Sequence, residues 1–199
     1  MQMAGTGQPS SEASRTAMDQ QRNLYSKKDT EMSAKKQMSS KELVEIGRKA
    51  PAFSMADQGE NIHRLKDYLG QWVVLYFYPK DDTSGCTKEA CQFRDARDKY
   101  RRRHAAVLGV SPDAAASHAK FAGKYKLPFT LLADVGAKTC TTYGVYQEKS
   151  MYGRKYMGVV RTTYLIDPRG KIARRWDKVK VDGHEREVLD AIDELRKKS

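Results

Sequence analysis

Residues 72–78 read Trp-Val-Val-Leu-Tyr-Phe-Tyr, an unbroken apolar run bounded by Gly70 and Pro79. A run this short, rich in β-branched and aromatic side chains, predicts a strand buried on both faces of a sheet. After a polar loop over residues 80–85, Ala90, Phe93, Ala96 and Tyr100 recur at steps of three or four among charged neighbours. The segment 87–104 is therefore expected to be one amphipathic helix. Residues 105–110 predict a second strand, 114–125 a second helix and 129–133 a third strand, an alternation that implies parallel βαβ units. Residues 159–167 and 171–176 flank Pro168, Arg169 and Gly170, a short turn that predicts an antiparallel hairpin, and a last helix is expected over 185–197. Ahead of this core, Phe53 and Met55 alternate with polar neighbours, and residues 65–69 form a candidate helical turn before Gly70.

The spacing of these elements suits an α/β fold, a thioredoxin-like sandwich with a mixed central sheet and helices on both faces. It is expected to occupy residues 41–199. Residues 1–40 contain no Val or Ile and only Leu24 as a branched aliphatic, and are expected to be a disordered or flexible extension. With 199 residues in all, the chain suits one domain plus that tail. No stretch approaches the roughly 18 apolar residues of a membrane span. No basic start, apolar core and small-residue cleavage site occur together near the N-terminus, so a reducing, cytoplasmic compartment is expected. Arg15 and Arg22 among hydroxyl residues match one feature of an organellar transit peptide, whereas Glu12, Asp19, Asp29 and Glu31 oppose it.

The net charge is +12, which raises nucleic acid as a partner, but acidic residues are interspersed through most of the basic ones. The pattern reads as a solvated surface, and no nucleic-acid-binding motif accompanies it. Three cysteines do not make a disulfide scaffold, so their spacing decides their meaning. His63, His104, His118 and His184 show no metal-ligand spacing, and neither a metal nor another cofactor is expected.

The chemistry concentrates in Pro-Lys-Asp-Asp-Thr-Ser-Gly-Cys-Thr-Lys-Glu-Ala-Cys, residues 79–91, at the carboxyl end of the predicted central strand. Open α/β sheets place ligands there. In the first turn of a helix, Cys86 would face unpaired backbone N–H groups and the positive end of the macrodipole, which favour the thiolate. A thiolate attacks peroxide to give a sulfenic acid, and Cys91 is the nearest thiol that can capture it. Five helical residues mean a rise of about 7.5 Å, a rotation of about 140° and a Cα separation of about 8.7 Å. A disulfide tolerates only about 7 Å, so the helix start must unwind for the two sulfurs to join. Inert packing remains open for both thiols, as does a resolving role for Cys140, which reads first as a small packing residue. Asp81 and Asp82 read as turn formers without a chemical role.

This stretch resembles the peroxiredoxin family, in particular its peroxiredoxin Q branch, also called bacterioferritin comigratory protein. Pro79, Thr83 and Cys86 reproduce the family's Pro-x-x-x-Thr-x-x-Cys signature, Cys91 stands where the branch often carries its resolving cysteine, and the segment 156–167 aligns Arg161 with the family's arginine. The resemblance runs from about residue 41 to the end. It implies a thiol-dependent peroxidase acting on hydrogen peroxide and organic hydroperoxides, with a thioredoxin-like reductant and a monomeric or weakly dimeric state. It also implies that Arg161 holds the Cys86 thiolate, Thr83 adds a hydroxyl contact, Pro79 shields the site from water and Glu89 orients Arg161. Ser84 departs from the proline usual at this place, which bears on loop rigidity. The competing readings are a thiol-disulfide oxidoreductase, which typically uses a closer Cys-x-x-Cys pair, and a redox-controlled binding module using the basic surface.

Overall fold

A computed structural model describes residues 42–198. The extension expected over residues 1–40 lies outside them. The predicted central strand is β3 (Trp72–Phe77), with all six residues buried. Its alternation divides the core in two: Trp72, Val74 and Tyr76 enter one apolar layer, while Val73, Leu75 and Phe77 enter the other. On either side of it run β4 (Ala105–Ser111), parallel, and β8 (Thr162–Ile166), antiparallel. β5 (Thr130–Ala133) continues the parallel set beyond β4, and β9 (Ile172–Asp177) forms the expected hairpin with β8. Two short strands, β1 (Ser54–Asp57) and β2 (Ile62–Arg64), complete a seven-stranded mixed sheet in the order β2-β1-β5-β4-β3-β8-β9.

Helices cover both faces. The layer around Tyr76 is closed by α1 (Ser84–Asp95), α2 (Arg97–Arg102), α3 (Ala115–Tyr125) and α5 (His184–Lys198), through Phe93, Tyr100, Phe121, Val188 and Ile192. The opposite layer is closed by the short α4 (Lys138–Thr142) and by Ala50, Phe53 and Leu65, the last opening a 3-10 turn over Leu65–Tyr68.

The structure departs from the sequence reading in three places. The single helix expected over 87–104 begins three residues earlier and divides at Ala96, whose φ of −91° and ψ of 2° leave the helical region. The expected strand over 159–167 is interrupted at Val160 and Arg161, and its first residue ends a separate ribbon of β6 (Tyr146–Met151) and β7 (Arg154–Val159). That ribbon escaped the hydrophobic pattern because β7 is mostly exposed. A two-residue loop with positive φ at both Tyr152 and Gly153 joins its strands, and glycine in that turn is the local signal that marks it.

Candidate active site

Pro79 and the loop to Thr83 carry the chain from the C-terminal end of β3 into α1. Thr83 is the N-cap in extended backbone, and the first i to i−4 bond runs from the Thr87 amide to the Thr83 carbonyl. The amides of Ser84, Gly85 and Cys86 therefore have no intrahelical acceptor, and no side chain caps them. Cys86 lies third in the helix, within the first turn, where these amides and the helix dipole favour negative charge. It is 1% exposed.

Arg161 reaches this thiol from the other side. Phe77 pairs with Thr162 in the antiparallel register of β3 and β8, so the residue before Thr162 falls just past the end of the central strand, beside the start of α1. The arginine was expected on a strand; it stands instead in the crossing between β7 and β8, where the chain leaves the ribbon to enter the main sheet. Its Nη2 donates to Cys86 Sγ at 3.3 Å, and its Nη1 donates to Glu89 Oε2. A Cβ on Gly85 would sit 3.3 Å from the same Nη2, so glycine lets the guanidinium pass over the backbone.

Glu89 lies one turn beyond Cys86 on the buried side of α1 and is 1% exposed. Its Oε1 has no hydrogen-bond partner. Burial pushes the carboxyl up from its ordinary 4.5 to about 7, against the charge and hydrogen bond of Arg161. Burial works the opposite way on Arg161, but the charges of Glu89 and Cys86 and their hydrogen bonds hold it above its ordinary value. The guanidinium is thus a permanent cation between a sulfur and a carboxylate whose ionisation is finely balanced.

The remaining expected residues fall around this core. Pro79, which opens the loop, is half-buried. Thr83 is exposed, and its hydroxyl donates to the Lys80 carbonyl at 3.2 Å, closing the loop rather than touching the sulfur. Cys91 is half-buried, five residues along the same unbroken helix, and both it and Cys86 are free thiols. Cys140 packs into the apolar layer on the far side of the sheet from Cys86. Burial, with the nearby charge of Asp134, pushes its thiol far above the ordinary range. Both features fit a packing residue. Asp81, read from the sequence as a turn former, is buried and accepts three side-chain hydrogen bonds; a partner as remote in sequence as His118 leaves no local signal.

A thiol at a helix N-terminus, held by an arginine at the end of a thioredoxin-like sheet, is the arrangement of a nucleophilic thiolate. The AhpC/TSA family model matches residues 46–175. Peroxiredoxin Bcp of Bacillus subtilis is 44% identical over 156 residues, covering 78% of this chain and 99% of its own. Among solved structures, a cysteine-to-serine mutant of PrxQ from Xylella fastidiosa superposes with a TM-score of 0.74 at 36% identity, over 78% of this chain and 99% of that one. The bacterioferritin comigratory protein of Xanthomonas campestris gives 0.69 at 36% identity, over 72% and 91%. The chain belongs to the AhpC/TSA family, as a peroxiredoxin of the Bcp, or PrxQ, branch.

Proposed function

We propose that Cys86 is the peroxidatic thiol, that Cys91 resolves it, and that a thioredoxin-like dithiol closes the cycle. The contact between Arg161 Nη2 and Cys86 Sγ carries this reading, because it places a fixed cation on the one thiol that also lies in the first turn of α1. The Cys86 thiolate attacks one oxygen of a hydroperoxide and the O–O bond breaks. Sulfur is oxidised by two electrons to the sulfenic acid, and the other oxygen leaves with a proton as water or alcohol. Arg161 has further N–H groups with which to hold the peroxide oxygens. Glu89 sets the plane of the guanidinium through the second nitrogen.

The Cys91 thiolate then attacks the sulfenic sulfur; the S–S bond forms and hydroxide leaves, taking a proton to become water. An external dithiol reduces the disulfide by two exchanges and is itself oxidised. The Xanthomonas relative is described by its alkyl peroxide reduction, and organic hydroperoxides beside hydrogen peroxide are the proposed substrates here. A cytoplasmic setting would supply the reductant. Among the described residues, no helix is long and apolar enough to cross a membrane.

The test is peroxide consumption coupled to thioredoxin and its reductase. Wild-type protein is expected to turn over and Cys86→Ser to lose turnover entirely; a Cys86→Ser protein that still consumes peroxide overturns the assignment.

A further inference from the structure

The loop that delivers Cys86 contains two aspartates, and both are bound to α3. Asp81 is 8% exposed. Its Oδ1 accepts from the Tyr78 hydroxyl at 2.8 Å, and its Oδ2 accepts from the Ser117 hydroxyl at 2.7 Å and from His118 Nδ1 at 2.8 Å. Its own amide donates to Asp113 Oδ2 at 2.7 Å. The next residue, Asp82, stands in the left-handed region at a φ of 55° and accepts from Lys124 Nζ and the Tyr125 hydroxyl at the other end of α3. Asp82 and Lys124 are exposed, and a pair of that kind contributes little. The Asp81 pair is different.

His118 is fully buried, and its two ring nitrogens face two oxygens: Nδ1 the Asp81 carboxylate, Nε2 the Leu132 carbonyl of β5 at 3.2 Å. Nδ1 also lies 3.4 Å from the Tyr78 hydroxyl, so the ring joins the loop to β5 through both of its nitrogens. Asp81 and His118 form a hydrogen-bonded pair inside the protein, tying the catalytic loop to α3 and, through the carbonyl, to the sheet. Burial opposes the charged form of Asp81, but the hydrogen bonds from His118 and Ser117, the charge of His118 and the Tyr78 hydroxyl outweigh it and hold the carboxyl below its ordinary value. Removing one member of such a buried pair leaves the other's hydrogen-bonding groups without their partner.

The region beyond this anchor is held differently. From Ser84 to Ala90, the side-chain ties of α1 run through Arg161 to Cys86 and Glu89 and through the exposed pair of Lys88 with Asp182. Further on, Phe93 is buried in the core and Arg94 Nη1 donates to the Tyr125 carbonyl at 2.8 Å. The stretch that must unwind to bring Cys86 to Cys91 thus lies between two clamps, Asp81 before it and Phe93 with Arg94 after it.

Resting on the reading of Cys86 and Cys91 given above, we propose that Asp81 is a positioning residue for the peroxidase reaction. Seated on His118 and Ser117, it fixes the loop that aims Cys86 at Arg161, and it is the stationary end of the unwinding that follows oxidation. Loss of the anchor acts oppositely on the two steps: attack on peroxide, which needs Cys86 in place, slows, whereas disulfide formation, which needs the helix start released, does not slow.

Single-turnover kinetics on the full chain test this. In Asp81→Asn, the second-order rate of Cys86 oxidation by hydrogen peroxide is expected to fall by about ten- to a hundredfold, the scale of losing alignment at a reacting atom. The later rate of disulfide formation is expected to be unchanged or faster. Amide exchange in the oxidised wild type should show residue 81, whose amide donates to Asp113, still protected, and Asp81→Asn should lose that protection. Ile192→Val, a core substitution remote from the loop, controls for a general loss of stability. Ser117→Ala removes one of the three hydrogen bonds to Asp81, and the same opposite movement, smaller in size, is expected; it serves alone if Asp81→Asn does not fold. An unchanged oxidation rate, or equal slowing of both steps as in a destabilised control, overturns the proposal while leaving the peroxidase assignment standing. A wild-type Cys86 unreactive toward peroxide removes that assignment itself.

Discussion

Arg161 binds two partners with one planar group, so its replacement removes both the cation beside Cys86 and the counter-charge of Glu89. Arg161→Met is expected to lower kcat/KM for peroxide by about 10²- to 10³-fold, the usual effect of removing a preorganised donor from a charge-developing site. Steady-state kinetics with saturating reductant measures this. Glu89 makes a separate prediction about pH. Its folded-state value, about 7, lies above the unfolded 4.5, so between those values the native protein holds a proton that the unfolded chain has released. The contribution of Glu89 to stability is therefore fully present below about pH 4.5 and is lost as pH rises to about 7. Urea unfolding of wild type and Glu89→Gln should show wild type losing ground to the variant across that window, with a constant difference outside it. The roles proposed for Cys86 and Cys91 could be read from the sequence because thiol chemistry depends on local placement. The anchoring proposed for Asp81 could not be, because its Ser117 and His118 partners lie on α3, 36 and 37 residues away in the chain.

Helix α1 combines a fixed end and a releasable end. Its hinge is the N-cap at Thr83, and Ser84 is its first residue. Proline suits that position, because the Ser84 amide has no helical acceptor, and Thr83 with a ψ of 151° already has the extended backbone a following proline requires. Ser84→Pro is expected to stabilise the reduced protein by about 0.4–1 kcal/mol, chiefly by restricting the unfolded chain, as thermal or urea unfolding would show. Oxidation should then melt the start of the helix. Amide exchange at residues 87–91 is expected to lose protection in the disulfide form, and retained protection there would contradict the unwinding that helix geometry demands. The pattern of the sequence found the helix, but not its division at Ala96, where apolar periodicity continues through Tyr100 while the backbone turns. Periodicity reports which face is buried and says little about an interruption that preserves the face.

The sheet separates the molecule into two apolar layers. Cys86 belongs to the layer under α1 and α5, and Cys140 to the layer under α4. The separation predicts that Cys140→Ala costs about 1 kcal/mol, as a small buried side chain is trimmed, and leaves peroxide turnover intact. Mass mapping of the oxidised protein should then find Cys86 joined to Cys91 in both wild type and variant. A Cys86 to Cys140 link would require the central strand to be breached.

The order of strands and helices, the buried central strand, the place of Cys86 after it and the Cys86–Cys91 spacing were all readable in the chain, because each depends on periodicity or spacing over a few residues. Tertiary structure decided which remote groups meet the loop. The β3 and β8 register carries Arg161 to Cys86, the exposed ribbon of β6 and β7 sets where that arginine leaves the sheet, and the approach of α3 supplies His118 to Asp81. The meetings of His118 with Asp81 and of Arg161 with Cys86 span 37 and 75 residues, arise from helix packing and strand register, and leave no local pattern.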